Sequence, residues 1–297
     1  VIRTMFAYLD EHRKNKAIYS ECKWSINLSG LSLNEDGFQD FILEVLNEYH
    51  INPAVICFEI TETAAIANFS KVIDFMKNLK DLLYRVPLDT VIGSTEIQIS
   101  KVDYNSRSLA QGDLFVALEG TTNDGHDYIE SAITSGAIAV VLEKLPENLK
   151  EGVTYIKVDN SHKALAQIAS NFFEEPSKQL KLVGVTGTNG KTTTTSLLYN
   201  LFRDCGFKAG LISTVHILIG DAVIQTKHTT PDPILINKYL SEMVTAGVDF
   251  CFMEVSSHGI DQERVSALHF AAGMFTNLSH DHLDYHTIKK LKNKVGT

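Results

Sequence analysis

The stretch GVTGTNGKTTTT, residues 184–195, decides the fold of the second half of the chain. It follows the apolar, β-branched run LKLVGVTG and precedes KTTTTSLLYNLFRDCG, a pattern that predicts a helix ending at Gly206. A strand, a glycine loop and a helix in this order favour a phosphate site, because a free backbone curls its amides round phosphate oxygens at the positive end of the helix dipole. The pattern GxxxxGK[ST] is not matched, since Val185 stands at its first glycine. We predict a nucleoside triphosphate site.

The residues of this loop have separate predicted roles. Lys191 reaches the β- and γ-phosphates, and the hydroxyl of Thr192 ligates magnesium. Thr193 is a poor helix former and is expected to face phosphate. A glycine turn with an exposed lysine is the simpler alternative, and the coincidence of strand, loop and helix disfavours it. The predicted nucleotide-binding set is Gly187, Thr188, Asn189, Gly190, Lys191, Thr192 and Thr193.

Composition limits the partners of the protein. The 297 residues carry a formal net charge of -9, which argues against a nucleic-acid partner because such proteins show a basic face. No apolar run approaches the roughly 18 residues of a membrane helix, and the first residues lack a signal-peptide pattern. We expect a cytoplasmic monomer that binds neither nucleic acid nor a membrane.

Helix and strand patterns alternate along the chain and predict an α/β fold throughout, with a largely parallel sheet beside the glycine loop. The run NSHKALAQIASNFFEEPSK predicts an amphipathic helix that ends at Pro176, so residues 177–180 are the expected linker. We therefore expect three segments, at residues 1–80, 81–178 and 179–297. Both ends of the chain, at Val1 and at NKVGT, suggest cut rather than natural termini.

Several motifs resemble those of the Mur ligases, which join an amino acid to a peptidoglycan precursor through an acyl phosphate. They are GVTGTNGKTTTT, HTTPDP (228–233), MEVSSHGIDQERV (253–265) and FTNLSHDHLDYH (275–286), and they are most similar to the enzymes that add the third stem-peptide residue. Residues 105–143 resemble the N-terminal, UDP-binding domain of those enzymes. The resemblance implies ATP, Mg²⁺, UDP-N-acetylmuramoyl-L-alanyl-D-glutamate and an amino acid, either meso-diaminopimelate or lysine.

The resemblance also implies metal ligands. Glu254 ends the apolar strand VDFCFM, where a carboxylate faces the nucleotide crevice, and the family places Mg²⁺ there with Thr192. His282 matches the histidine that supports a second Mg²⁺, and Lys191, Glu254 and His282 form the predicted catalytic set. A zinc site is the alternative for the group His280, Asp281, His282, Asp284 and His286, but hard oxygen ligands beside a nucleotide favour Mg²⁺.

Substrate contacts are carried over position by position. Arg264 is expected to pair with a substrate carboxylate. His228 stands where the family often has asparagine, and Asn105 stands where it commonly has aspartate. The residues matched to the muramoyl-peptide are His228, Thr229, Thr230, Ser256, Gln262 and Arg264, and those matched to the UDP-sugar are Tyr104, Ser106, Thr121, Thr122 and Asn123.

Two family features have no counterpart in the sequence. The tail TIKKLKNKVGT lacks the helix that carries a magnesium-bridging carbamylated lysine, and none of its lysines can be assigned to that role. The amino-acid-selecting C-terminal domain is not found, so the central domain is expected to be truncated. We therefore expect binding with little or no turnover, and a non-catalytic ATP and UDP-sugar binding module is the rival interpretation.

The first 80 residues resemble part of an EAL domain, a barrel phosphodiesterase acting on cyclic di-GMP. The asparagine of NLS and the first glutamate of EITE, Asn27 and Glu59, match metal ligands of that family. The EAL signature and the DDFG aspartates are missing, which predicts a partial barrel without phosphodiesterase activity. Cyclic di-GMP binding through this segment is a further alternative, although residual polar side chains at strand ends are the favoured interpretation.

Overall fold

A computed structural model describes residues 2–11, 24–28, 38–49, 51, 56–60, 77–120, 124–226 and 229–279. The chain divides into two compact units, Val1–Phe172 and Phe173–Thr297. Both units combine helices with largely parallel strands, which confirms the predicted α/β class.

The elements of the first unit are numbered in chain order. Its helices are α1 (Ile2–Glu11), α2 (Phe38–Glu48), α3 (Leu79–Leu82), the 3₁₀ turn Gly125–Tyr128, α4 (Ile129–Ser135) and α5 (Ser161–Phe172). Its strands are β1 (Trp24–Leu28), β2 (Ile56–Ile60), β3 (Lys77–Asn78), β4 (Thr90–Ile92), β5 (Gln98–Ile99), β6 (Val102–Asp103), β7 (Asp113–Val116), β8 (Ala137–Leu142) and β9 (Thr154–Lys157).

A five-stranded sheet in the order β4-β9-β8-β7-β6 forms the main part of this unit. Strands β6 to β9 are parallel, and β4 is antiparallel at one edge. All four residues of β7 are buried, as expected for a parallel strand that is covered on both faces. The buried core includes Phe115, Val140 and Tyr155.

The first 60 residues contribute a parallel pair, β1 and β2, with helices α1 and α2 packed on a small core that includes Phe6 and Ile42. Asn27 and Glu59 are register partners in this pair, so the two residues that match metal ligands of the EAL family lie side by side on adjacent strands. The described residues form no closed barrel, in agreement with the predicted partial barrel.

The second unit begins with the 3₁₀ turn Pro176–Lys178. Its helices are α6 (Lys191–Asp204), α7 (Pro233–Thr245) and α8 (Ser257–Asp261), and its strands are β10 (Lys181–Thr186), β11 (Ala209–Ile212), β12 (His216–Ile219), β13 (Ala222–Gln225), β14 (Phe250–Glu254) and β15 (Ala272–Phe275).

These strands form a six-stranded sheet in the order β13-β12-β11-β14-β10-β15. The four neighbours β11, β14, β10 and β15 are parallel, and the β12–β13 hairpin extends the sheet in antiparallel fashion. Apolar residues such as Leu182, Met253 and Leu240 fill the core. Because the four parallel strands end at one edge, the loops that follow them lie close together there.

The segment predicted as a linker is packed in the second unit. Helix α5 ends at Phe172, earlier than the predicted stop at Pro176. Ser177 is buried, and its hydroxyl accepts a hydrogen bond from the backbone N–H of His269 at 3.0 Å. Among the described residues, no helix combines the length and apolar character needed to cross a membrane.

Candidate functional site

The glycine loop joins β10 to α6, as the sequence predicts. Gly187 has φ +134° and Gly190 has φ +88°, conformations that side-chain-bearing residues rarely adopt. A methyl group on Gly187 would collide with the Thr276 hydroxyl and lie 2.9 Å from the carbonyl oxygen of Asn277, whereas no atom lies within 4 Å of one on Gly190. The loop is thus packed at Gly187 and open at Gly190, where the N-terminus of α6 faces outward.

Asn277, just beyond β15, holds the loop in place. Its carbonyl accepts from the N–H of Thr188 at 2.9 Å, its Oδ1 accepts from the N–H of Asn189 at 3.0 Å, and its Nδ2 donates to the Asn189 carbonyl at 3.0 Å. The Thr276 hydroxyl donates to the same carbonyl at 2.7 Å. These bonds fix the loop through backbone groups and explain why Gly187 must lie so close to β15.

The Lys191 side chain folds back over the loop. Its Nζ donates to the carbonyl oxygens of Gly187 and Thr188, at 2.6 and 2.9 Å. The ammonium group therefore lies above the same loop whose amides are expected to bind phosphate. Phosphate oxygens would be stronger acceptors for it than these carbonyls, because charge-assisted hydrogen bonds are shorter and stronger.

Glu254 lies at the C-terminal end of β14, between the loop after β10 and the loop after β11. Its side chain is completely buried. Oε1 accepts from the backbone N–H of Thr214 at 2.9 Å, and Oε2 accepts from the hydroxyls of Thr214 and Thr192 at 3.0 and 3.1 Å. Thr192 and Glu254, the two residues predicted to share a metal, are therefore in direct contact.

The surroundings of Glu254 fit a magnesium ion. Within the described part of the chain, no nitrogen of Lys, Arg or His forms an ion pair with this carboxylate. A buried carboxylate without a countercharge is costly, and a divalent cation supplies that charge. The atoms present are carboxylate and hydroxyl oxygens, the hard ligands that Mg²⁺ prefers.

The residues predicted to contact the muramoyl-peptide surround the C-terminal end of β14. The Thr229 hydroxyl lies 3.1 Å from that of Thr214. Thr230 is buried, and its hydroxyl donates to the carbonyl of Glu254 at 3.0 Å and accepts from the N–H of Ser256 at 2.9 Å. The Ser256 hydroxyl caps α8 by accepting from the N–H of Gly259 at 3.1 Å.

Arg264, in the turn after α8, is the last member of this group. Its Nε and one terminal nitrogen donate to Oε1 of Gln262 at 3.0 and 2.6 Å, and the other donates to the carbonyl of Thr230 at 2.5 Å. The guanidinium is thus oriented by neutral acceptors, which leaves its charge available to a substrate carboxylate. Thr229, Thr230, Ser256, Gln262 and Arg264 are brought together, while their contacts with substrate stay predictions.

The residues matched to the UDP-sugar lie in the first unit. Tyr104 is 40% exposed and Ser106 is buried, both just after β6. Burial disfavours ionisation of the neighbouring Asp103, but hydrogen bonds from Lys101, from the N–H of Asn105 and from Ser108 outweigh burial and hold its pKa below the usual value. This network fixes the turn that carries both residues.

Several predicted residues fall outside the described part of the chain. They are Thr121, Thr122, Asn123, His228 and His282, so the predictions for them stay open. Thr193 is exposed on the first turn of α6, and its contact with phosphate also stays a prediction.

Sequence reasoning missed three residues that hold the site, namely Thr214, Thr276 and Asn277. Thr276 and Asn277 lie at the start of FTNLSHDHLDYH, a motif in which the chemical signal comes from the histidines and aspartates that follow. Thr214 lies in the turn after β11, and the sequence gives it no spacing relative to Glu254. Its position follows from the parallel pairing of β11 with β14.

The second unit is therefore a largely parallel α/β domain with a glycine loop and a buried carboxylate at the adjacent strand end. The Mur ligase middle domain matches residues 185–293, and the Mur ligase family, catalytic domain, matches residues 98–173. Residues 98–173 and 185–293 therefore belong to the Mur ligase family. The EAL domain matches residues 1–98.

Curated relatives agree with this assignment. The chain is 53% identical over 209 residues to the UDP-N-acetylmuramoyl-L-alanyl-D-glutamate--2,6-diaminopimelate ligase of Cytophaga hutchinsonii, and 52% identical over 208 residues to the enzyme of that name from Bacteroides fragilis. Each match covers 70% of this chain and 43% of the relative. The chain thus spans less than half the length of these relatives.

A solved structure shows the same fold. The structure of a UDP-N-acetylmuramoyl-L-alanyl-D-glutamate--2,6-diaminopimelate ligase superposes with a TM-score of 0.60 at 22% identity, over 74% of this chain and 45% of that one.

Proposed function

We propose that the chain binds ATP with Mg²⁺ and UDP-N-acetylmuramoyl-L-alanyl-D-glutamate, as part of a ligase that adds the third amino acid of the peptidoglycan stem peptide. The observation that carries the proposal is the buried Glu254, which contacts Thr192 of the glycine loop on one side and Thr214 on the other. Such an arrangement supports a metal beside a bound triphosphate.

The chain's own residues have distinct tasks in this reaction. The amides at the start of α6 and the Nζ of Lys191 bind phosphate oxygens, and Asn277 keeps the loop in its curled form. Thr192 and Glu254 hold Mg²⁺, which when bound screens the negative charge of the phosphates and of the attacking carboxylate. Arg264 orients the muramoyl-peptide by pairing with a carboxylate that does not react.

The chemistry that these groups support is the transfer of the γ-phosphoryl group to the substrate carboxylate, followed by attack of an amine. Little covalent work falls to the protein in phosphoryl transfer, so positioning and charge stabilisation account for most of the catalysis. The residues around Glu254 supply both, because their hydrogen bonds to one another hold the carboxylate and the hydroxyls in place.

We propose 2,6-diaminopimelate as the amino acid. The relatives from Cytophaga hutchinsonii, Bacteroides fragilis and Clostridium tetani all bear names that specify this amino acid, at 53, 52 and 46% identity. In the first unit, the turn after β6 with Tyr104 and Ser106 is proposed to bind the UDP end of the precursor. The cytoplasmic location and the monomeric state stay predictions.

Calorimetric titration tests the proposal. The chain is titrated with UDP-N-acetylmuramoyl-L-alanyl-D-glutamate and with a nonhydrolysable ATP analogue, in the presence and absence of Mg²⁺. We expect Lys191→Ala to weaken the nucleotide at least tenfold and Arg264→Ala to weaken the muramoyl-peptide by a similar factor, as charged hydrogen bonds of about 1.5–3 kcal/mol imply. Lys238→Ala, which removes an exposed lysine on α7, is the matched control.

Each outcome bears on the assignment. Two separable losses, each confined to its own ligand, support a nucleotide site and a muramoyl-peptide site at the predicted residues. If the parent chain binds neither ligand, the motifs describe ancestry and the proposed function is wrong.

Cyclic di-GMP is a second candidate ligand, favoured by the adjacent placement of Asn27 and Glu59 and by the EAL match. The same titration with cyclic di-GMP tests it. Binding that is lost in Glu59→Ala supports this candidate, and an absence of heat in the parent chain rejects it.

A further inference from the structure

Thr214 lies outside the sequence motifs that predicted the site, yet it contacts Glu254. It lies in the turn between β11 and β12, and that turn is fixed by Ser213. The buried Ser213 hydroxyl donates to the carbonyl of His216 at 2.8 Å and accepts from the N–H groups of Val215 and His216 at 3.3 and 3.2 Å. These hydrogen bonds fix the position of Thr214 relative to the C-terminal end of β14.

The hydroxyl of Thr214 lies between two residues of the site. It is 3.0 Å from Oε2 of Glu254 and 3.1 Å from the hydroxyl of Thr229. Its backbone N–H donates to the other carboxylate oxygen, Oε1, at 2.9 Å. Thr214 therefore contacts both oxygens of the proposed metal ligand and one residue of the proposed muramoyl-peptide site.

The direction of these hydrogen bonds follows from the donor count. An ionised carboxylate accepts only, and a hydroxyl has one proton. The Thr214 hydroxyl is within donor distance of both Glu254 and Thr229, and with Glu254 ionised, as a ligand of Mg²⁺ is, the proton goes to Oε2 and the contact with Thr229 takes its proton from Thr229. Thr229 in turn has spent its own proton and can offer only lone pairs to a ligand.

We propose that Thr214 is a positioning residue that couples the metal carboxylate to the muramoyl-peptide site and makes Thr229 an acceptor for a donor group of that substrate. The inference rests on the proposed function. A donor group on the substrate, such as a peptide N–H or a sugar hydroxyl, is favoured opposite Thr229, and a carbonyl or carboxylate oxygen is disfavoured there. Orientation of Glu254 and recognition of the substrate are then set by one hydroxyl.

A double-mutant cycle on the full chain tests the coupling. Thr214→Val keeps the shape and the backbone N–H but removes the hydroxyl, and Thr229→Val removes its partner. We expect each single variant to weaken UDP-N-acetylmuramoyl-L-alanyl-D-glutamate about tenfold, and the double variant to be no weaker than the weaker single variant, because contacting residues are not additive. Thr214→Ser, which restores the hydroxyl, is expected to bind within about twofold of the parent.

A second readout separates positioning from general structure. We expect Thr214→Val to raise the Mg²⁺ concentration needed for tight binding of the nonhydrolysable ATP analogue about tenfold, while binding of the analogue without Mg²⁺ is unchanged. Thr245→Val is the matched control, since that hydroxyl donates to the Ser241 carbonyl on the exposed side of α7.

Each outcome of these experiments either supports or overturns the proposed coupling. Affinity losses in the two single variants that multiply in the double variant overturn the coupling, as does a Thr214→Ser variant as weak as Thr214→Val. Parent-like binding by Thr214→Val also overturns it. A parent chain that binds neither ligand rejects the proposed function and this inference together, whereas binding by the parent with an additive cycle rejects the inference alone.

Discussion

The hydroxyl of Thr192 lies 3.1 Å from Oε2 of Glu254, although 62 positions separate the two residues in the chain. The contact follows from the parallel pairing of β10 and β14, in which Val185 is opposite Glu254. The loop after β10 leads within a few residues to Thr192 at the start of α6. The sheet thus brings a hydroxyl and a carboxylate to the place where a triphosphate would meet the helix.

This pair predicts a selective effect on metal binding. Glu254→Gln keeps the shape and the acceptor oxygen but removes the charge, so we expect the gain in nucleotide affinity that Mg²⁺ confers to fall at least tenfold. Binding of the nucleotide without Mg²⁺ should change little. Titration of the ATP analogue with and without Mg²⁺ measures both, and Glu242→Gln on α7 is the matched control. Equal losses with and without the metal would contradict a ligand role.

Gly187 predicts a second effect. Gly187→Ala places a methyl group against Thr276 and Asn277 in a strained backbone conformation, so we expect the loop to shift and nucleotide affinity to fall at least tenfold. We also expect a loss of about 2 to 3 kcal/mol in the free energy of unfolding of the second unit. Titration and hydrogen exchange across β10 and α6 measure these.

Gly220 provides the control for backbone strain. It also has a positive φ, +57°, but a methyl group there meets no atom within 4 Å. Gly220→Ala should cost about 1 kcal/mol of stability and leave nucleotide binding unchanged. If both variants bind nucleotide like the parent, the close packing at Gly187 has no part in binding.

The four consecutive threonines show what the sequence can and cannot reveal. The order of an apolar run, a glycine loop and a helical pattern predicted the strand, the loop and the helix, whereas the role of Thr192 as a magnesium ligand stays a prediction. Thr195 differs in a way that the sequence does not announce: it is buried, and its hydroxyl donates back to the carbonyls of Lys191 and Thr192. Residues three positions apart in a helix lie on a similar side, so Thr195 lies on the side of Thr192. Thr193 lies on a different side and is exposed.

Local sequence patterns do not predict contacts between distant segments of the chain. The predicted roles of Glu254 and Arg264 came from motifs, whereas Thr214 and Asn277 act through strand order, which periodicity does not specify. Strands β13 and β4 also lack a strong signal, because each lies at a sheet edge with exposed residues. The residues and strands that the sequence did not predict are therefore those that depend on long-range strand pairing.

Asn277 leads to a third prediction. Asn277→Ala removes two side-chain hydrogen bonds to Asn189 but keeps the backbone bond to Thr188. We expect nucleotide affinity to fall about five- to tenfold, because a looser loop must be ordered on binding, while the muramoyl-peptide affinity stays within twofold. Calorimetric titration with each ligand measures the two effects. Asn200→Ala, on the exposed side of α6, is the control, and equal weakening of both ligands would contradict a role confined to the loop.

Asp113 predicts how the stability of the first unit depends on pH. The side chain is 2% exposed at the start of β7, and its Oδ2 accepts from the N–H of Ala110 at 2.8 Å. Burial raises its pKa to about 7, outweighing the hydrogen bond from Ala110 and the nearby charge of Lys101, while Asp103 raises it further. The folded state therefore holds a proton that the unfolded state has already released.

The sign of the effect follows from that difference in bound protons. Between about pH 4 and pH 7 the folded state binds more protons at this site, so its contribution to stability falls as pH rises and is lowest above pH 7. At about 1.4 kcal/mol per pKa unit, the penalty above pH 7 is at most about 4 kcal/mol. Asp113→Asn imitates the protonated group, so we expect it to match the parent near pH 4.5 and to exceed it in stability by about 2 kcal/mol at pH 8. Hydrogen exchange of β7 and β8, compared between variant and parent at each pH, measures the difference. The exposed Asp127→Asn should show no such divergence, and a variant less stable than the parent at pH 8 would show that the buried carboxylate is stabilising in its ionised form.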